Sequence, residues 1–144
     1  MVIASILYNY FVIGTPEVVK KLIEKGANVN VKGFKNDVNQ LKMAIIHRQA
    51  EVVKVLLAND ADPNQTCIAE GTALHTSVCK EGMEEDNIIG TFIFKQLIDH
   101  GAKINVKDLE LVTPLHLAAR YGKIVEVEYL IRNSAEIDPV NTFG

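Results

Sequence analysis

Apolar and polar residues alternate along this chain in a pattern that keeps returning. Val18, Val19, Leu22 and Ile23 recur at helical spacing, with Glu17, Lys20, Lys21 and Glu24 between them. That spacing predicts an amphipathic helix with one stripe for burial. The same arrangement follows in Glu51-Val-Val-Lys-Val-Leu-Leu, Ile93-Phe-Lys-Gln-Leu-Ile and Glu126-Val-Glu-Tyr-Leu-Ile. Each helix runs into a short turn: Gly26-Ala-Asn-Val-Asn30, Asp60-Ala-Asp-Pro-Asn64, Gly101-Ala-Lys-Ile-Asn105 and Ser134-Ala-Glu-Ile-Asp138. Gly26 and Gly101 stand just past a helix end, where a left-handed backbone costs glycine little.

The spacing is regular enough to define units. Ala102 and Ala135 are 33 residues apart, as are Asn39 and Thr72, while Ala27 and Ala61 are 34 apart. Thr72 and Thr113 are separated by 41, so one unit carries eight extra residues. Register returns by Leu97-Ile98, 33 before Leu130-Ile131, which confines the insertion to the stretch between Lys80 and Ile93, near 81–92. The units are about 1–30, 31–64, 65–105 and 106–138, with 139–144 opening a fifth. One such helix pair cannot bury its apolar face alone, so neighbouring units must stack.

The last full unit reads Thr113-Pro-Leu-His-Leu-Ala-Ala119, then Arg-Tyr-Gly122. Thr113 suits a helix N-cap and Pro114 the first helical position. This run resembles the ankyrin repeat, whose expected period is about 33 residues. The third unit keeps Thr72, Leu74 and His75; the second, Asn39-Gln-Leu-Lys-Met-Ala-Ile, loses the threonine, proline and histidine. The first retains only Leu7 of the motif, so residues 1–13 read as a degenerate first helix. The resemblance implies an all-α solenoid of stacked antiparallel helix pairs with hairpin-like finger loops. It also implies that His75 and His116 bond backbone and threonine groups across the turns between repeats.

Function follows from the same resemblance: a non-enzymatic scaffold that binds another protein through its concave face. The matching slots are Phe34, Lys35 and Asn36 in the first finger, Thr66, Ile68 and Ala69 in the second, and Lys107, Leu109, Glu110 and Val112 in the third. Helix ends add Ile46, His47, Cys79, Lys80, Arg120 and Tyr121. Asn30, Asn64 and Asn105 each follow a leucine by eight residues, a context resembling that of hydroxylated ankyrin asparagines. Two other roles fit as well: a regulatory or targeting segment of a larger enzyme or channel, and a viral or bacterial effector or decoy directed at a host.

Composition narrows these roles. A net charge of −3 and a pI near 5.8 exclude a general nucleic-acid binder. The uncharged stretch 1–14 is too short to span a bilayer, which takes roughly 20 residues, and has no preceding basic residue for a secretory signal. It offers instead an apolar surface for end-to-end association, with a monomer as the alternative. Two cysteines predict reduced thiols in the cytoplasm or, alternatively, the nucleus. Cys67, His75 and Cys79 lack a fourth ligand at zinc spacing, so no metal or cofactor is expected. No catalytic residue is assigned. The acidic run Glu81, Glu84, Glu85 and Asp86 is expected to be a solvated part of the insertion.

Overall fold

A computed structural model describes residues 15–31, 38–66, 71–79 and 84–137, with backbone alone for 84–86. The expected degenerate helix at 1–13 and the opening of a fifth unit at 139–144 lie outside the described residues. Among those described there are seven helices and no strand. They are α1 (Pro16–Glu24), α2 (Gln40–Ile46), α3 (Ala50–Ala58), α4 (Ala73–Cys79), α5 (Glu84–Asp99), α6 (Pro114–Arg120) and α7 (Ile124–Arg132).

The short helices α2, α4 and α6 stack in one row, and α1, α3, α5 and α7 stack in a second. Within a unit α2 packs on α3, α4 on α5 and α6 on α7. Ala44, Val53, Leu56, Leu74, Ile93, Phe94, Leu97, Ala118 and Leu130 are fully buried between the rows. Burying a large aliphatic or aromatic side chain is worth about 1.5–3 kcal/mol, so the continuous core is what holds the helices. Seven-residue helices such as α4 would be marginal alone in water.

Left-handed residues end the outer helices: Gly26 (φ 90°), Asp60 (62°), Gly101 (87°) and Ser134 (68°). From there an asparagine ladder ties each unit to the next. Asn30 donates through Nδ2 to Asp60 O (2.9 Å) and accepts from Asp62 N (2.8 Å). Asn64 does the same with Gly101 O (2.9 Å) and Lys103 N (2.8 Å), and Asn105 with Ser134 O (3.1 Å) and Glu136 N (3.0 Å). Each amide therefore satisfies one donor and one acceptor of the neighbouring turn.

The eight extra residues are built mainly as helix. Helix α5 has 16 residues where α1, α3 and α7 have nine. Its end at Asp99 is in register with Arg132, so the seven additional residues, Glu84–Gly90, lie at its start. They add about 10 Å, or two turns. Gly90 lies against Arg48, where an added Cβ would meet Nη1 at 2.6 Å. Asn87 Oδ1 accepts a hydrogen bond from Lys123 Nζ. One turn on, Thr91 Oγ1 donates to the buried Glu126 carboxylate at 2.5 Å.

Candidate partner-binding face

The loops that precede the short helices are fixed by rungs running from unit to unit. His75 Nδ1 accepts from Thr72 N (3.2 Å) and lies 3.0 Å from Thr72 Oγ1. Its Nε2 is 2.9 Å from Val112 O, the carbonyl preceding the next unit's threonine. One nitrogen accepts and the other donates, which defines a neutral Nε2–H tautomer. Burial, the largest influence, pushes the His75 pKa below its ordinary value of 6.5, and the Lys42 charge pushes the same way. The Val112 bond and Asp108 oppose that shift. Both nitrogens of His75 thus have structural partners, as its motif position implied. In the last unit Thr113 and His116 form a reciprocal capping box: Thr113 N donates to His116 Nδ1 at 3.1 Å, and His116 N donates to Thr113 Oγ1 at 3.4 Å.

In the second unit a lysine takes the histidine's place. Lys42 is fully buried, and its Nζ donates to Gly71 O at 2.6 Å. Gly71 precedes Thr72 just as Val112 precedes Thr113, so the rung is conserved in geometry although its chemistry differs. An ammonium cannot accept a hydrogen bond, and the local turn must be closed by another group. Asn39 closes it by a different bond, as a helix N-cap: its Oδ1 accepts from Lys42 N (2.9 Å), while Nδ2 donates to Gln65 Oε1 (2.6 Å). With its amide oriented to donate, buried Gln40 reaches Val31 O (2.7 Å) and Val29 O (3.2 Å). From sequence the second unit showed only the loss of its threonine, proline and histidine, and this network was not anticipated. The signal was present in Asn39, a favoured N-cap type at the threonine position.

On this frame the third finger is the one fully described. Asp108 Oδ1 accepts from Glu110 N and Val112 N, both at 2.9 Å, and Asp108 N donates to Val112 O at 3.0 Å. The tight turn forces Leu111 to φ 58° and turns Leu109 outward, 79% exposed. Lys107 and Glu110 are exposed beside it. Val112, expected at the contact surface, is half-buried and packs against the core while its carbonyl receives His75. Leu111 is 43% exposed at the same tip and was missed, although its neighbour Leu109 was the cue.

About 10 Å away, the length of a seven-residue helix, the short helices end in a second row. His47 and Cys79 are exposed there, Ile46 is half-buried, and the Cys79 thiol is free of a disulfide. Arg120 is exposed, with its guanidinium 5.9 Å from the centre of the half-buried Tyr121 ring. Thr66 is exposed in the second finger. Phe34, Lys35, Asn36, Ile68, Ala69 and Lys80 lie outside the described residues. No group of three potential metal ligands occurs among the described residues, and no helix there is long and apolar enough to cross a membrane.

Known proteins share this repeat. The family model for ankyrin repeats (three copies) matches residues 41–142. An ankyrin repeat protein of Fowlpox virus (strain NVSL) is 30% identical over 140 residues, covering 81% of this chain and 19% of the viral protein. A second fowlpox ankyrin repeat protein is 31% identical over 125 residues, covering 85% of this chain and 34% of its own length. Protein phosphatase 1 regulatory subunit 12A of Mus musculus is 36% identical over 74 residues, 51% of this chain and 6% of that protein. This chain therefore spans only a fifth to a third of the viral proteins it matches. Ankyrin repeats mediate protein–protein interaction, and domains built from them are typically non-enzymatic. With its stacked helix pairs, threonine–histidine rungs and matched repeats, the chain belongs to the ankyrin repeat family.

Proposed function

We propose that this array is a non-enzymatic recognition module that grips another protein between its fingertips and the ends of its short helices. The observation that carries this reading is the third fingertip. Its backbone turn is closed internally by Asp108, yet Leu109 and Leu111 are held 79% and 43% exposed. Paired leucines held toward water on a rigid loop gain free energy when a partner covers them. Tyr121, flanked by Arg120, supplies the aromatic and guanidinium chemistry that often anchors an interface. A cytoplasmic or nuclear setting, where thiols stay reduced, is part of this proposal and rests on the chain's having only two cysteines.

The test is an affinity capture comparing the intact chain with a Phe34→Ala/Leu109→Ala/Tyr121→Ala variant, with folding verified by circular dichroism. Loss of the captured protein by the folded variant is expected. Retention of every captured protein at undiminished yield would overturn this assignment of the contact face.

A second reading draws on the two fowlpox relatives. In it, the array is a segment of a longer ankyrin protein that engages proteins of an infected host. Capture from host-cell extract, but not from unrelated extract, is the outcome that distinguishes it. Hydroxylation of Asn30, Asn64 and Asn105 rests on their sequence context, and a mass gain of one oxygen on each peptide is its readout.

A further inference from the structure

The residues added to the third unit form the start of α5, and that start is held from two sides. Gly90, buried at the end of the added stretch, faces the second unit: a Cβ there would stand 2.6 Å from Arg48 Nη1, 3.2 Å from its Cζ and 3.4 Å from its Nη2. The guanidinium therefore lies across the helix backbone, in a seat that a side chain at position 90 would close. Asn87 and Thr91, one turn apart, face the fourth unit. There Asn87 Oδ1 accepts from Lys123 Nζ, and Thr91 Oγ1 donates to the Glu126 carboxylate. Successive residues of an α-helix point roughly 100° apart, so Gly90 and Thr91 serve different sides of α5.

Neither flank is what the repeat alone asks for. Arg48 fills the position that Gly122 fills in the last unit, and both are left-handed, at φ 54° and 65°. That backbone favours glycine, so an arginine there needs a compensating contact. Its Nε and Nη1 are buried, which sets it apart from a solvated turn residue. Glu126 fills the position of Val52 and Ile93, both buried and apolar, yet is itself only 6% exposed. A buried carboxylate is tolerated where a donor meets it, and Thr91 of α5 is that donor. Two departures from the repeat, one in the second unit and one in the fourth, thus converge on the same stretch of the third.

We propose that the insertion is a brace: the start of α5 locks the second unit to the fourth, which in a plain stack would be coupled only through the packing of the third. The turns it locks are those that end the short helices α2 and α6. His47 directly precedes Arg48, and Tyr121 stands two residues before Lys123. The brace thereby fixes the spacing of the row of helix ends, and the added residues shape the array from within. It does not depend on what the array binds.

Hydrogen exchange of the intact chain, read by mass spectrometry on peptides from each unit, tests the brace without any partner. Arg48→Gly restores the residue type of Gly122 and relieves the left-handed strain, so in a plain stack exchange in the fourth unit should not change. With the brace, amides of 84–90 and 121–127 should exchange about tenfold faster, although Arg48 lies in neither segment. Those of α1, the other neighbour of the second unit, should keep their wild-type rates. Asn87→Ala/Thr91→Ala cuts the other flank and should speed exchange at 45–50. Gly90→Ala adds a test of sign: alanine strengthens a free helix, but here it displaces Arg48 and should lower the urea midpoint. Wild-type exchange at 121–127 in Arg48→Gly, or at 45–50 in Asn87→Ala/Thr91→Ala, overturns the proposal. So does a Gly90→Ala chain at least as stable as the wild type. Equal acceleration of α1 in Arg48→Gly overturns it too, because that is general loosening and not a brace.

Discussion

The second and third units bridge to their successors at the same place with different chemistry. In the third, one histidine ring performs two tasks: Nδ1 closes its own turn on Thr72, and Nε2 reaches Val112 O in the next unit. In the second, the tasks are divided. Lys42 reaches Gly71 O, and Asn39 closes the turn and also binds Gln65. What the repeat requires is therefore a donor aimed at the carbonyl before the next helix, with a cap for its own, whichever residues supply them. With lysine in the histidine's place, the side-chain bond that closes the turn is the N-cap's, from Lys42 N to Asn39 Oδ1, as His116 N donates to Thr113 Oγ1 in the last unit.

Removing the lysine rung should have the largest effect. Lys42→Ala takes away a fully buried stem and leaves Gly71 O without its donor. Cavity and lost hydrogen bond together predict a loss of about 3 kcal/mol, read as a lower urea midpoint. Lys42→Met sharpens the comparison, because it keeps the stem and removes the ammonium. Equal stability of the methionine variant and the wild type would show that packing, not the hydrogen bond, is the contribution of Lys42. Converting the second unit toward the third tests the division of tasks. Asn39→Thr and Lys42→His should each cost stability alone but lose less together, with a coupling of about 1 kcal/mol.

Next in size is the asparagine ladder, which is common to both units. Asn64→Ala removes both the bond to Gly101 O and the bond from Lys103 N, for an expected loss of about 2 kcal/mol. Asn105→Ala should cost less, because Asn105 is exposed where Asn64 is half-buried and water can replace its bonds. An equal loss at the two positions would mean that burial does not set the strength of the ladder.

Legibility from sequence followed the physics of each feature. Apolar periodicity and recurring turns revealed the stacked helices because burial leaves its mark at fixed spacing. His75 was readable because threonine and histidine sit in one motif. Lys42 was not, because a lysine ordinarily signals solvent and only its position in the frame gives it a buried partner. The insertion was placed by counting, but counting gives length and not shape, so the helical form of Glu84–Gly90 had to come from the fold. Exposed positions are hardest to read. Val112 and Leu109 are similar in the sequence, yet one packs inward and the other faces water, a difference set by the turn around Asp108.

A smaller effect separates the turns that end α3 and α5. Gly101 and Asp60 fill the same left-handed slot, at φ 87° and 62°. A Cβ on Gly101 would meet nothing within 4 Å, so Gly101→Ala isolates backbone strain from packing. The expected loss is about 1 kcal/mol. No measurable change would show that the slot tolerates any residue, and that the aspartate at position 60 carries no strain that Gly101 avoids.

The smallest effect is a response to acid that should belong to the histidine rung. Burial holds the His75 pKa below 6.5, so above that value the ring is neutral in folded and unfolded chains alike and stability does not depend on it. Between 6.5 and the lower folded value, the unfolded chain takes up a proton that the folded chain refuses. Stability therefore declines as pH falls through that window and levels off once the folded ring is also protonated. The direct reading is an NMR titration of the His75 ring, whose midpoint should fall below 6.5. A midpoint at or above 6.5 would mean that the Val112 bond and Asp108 outweigh burial. The rung would then strengthen in mild acid, reversing the expected contrast between the third unit and the second.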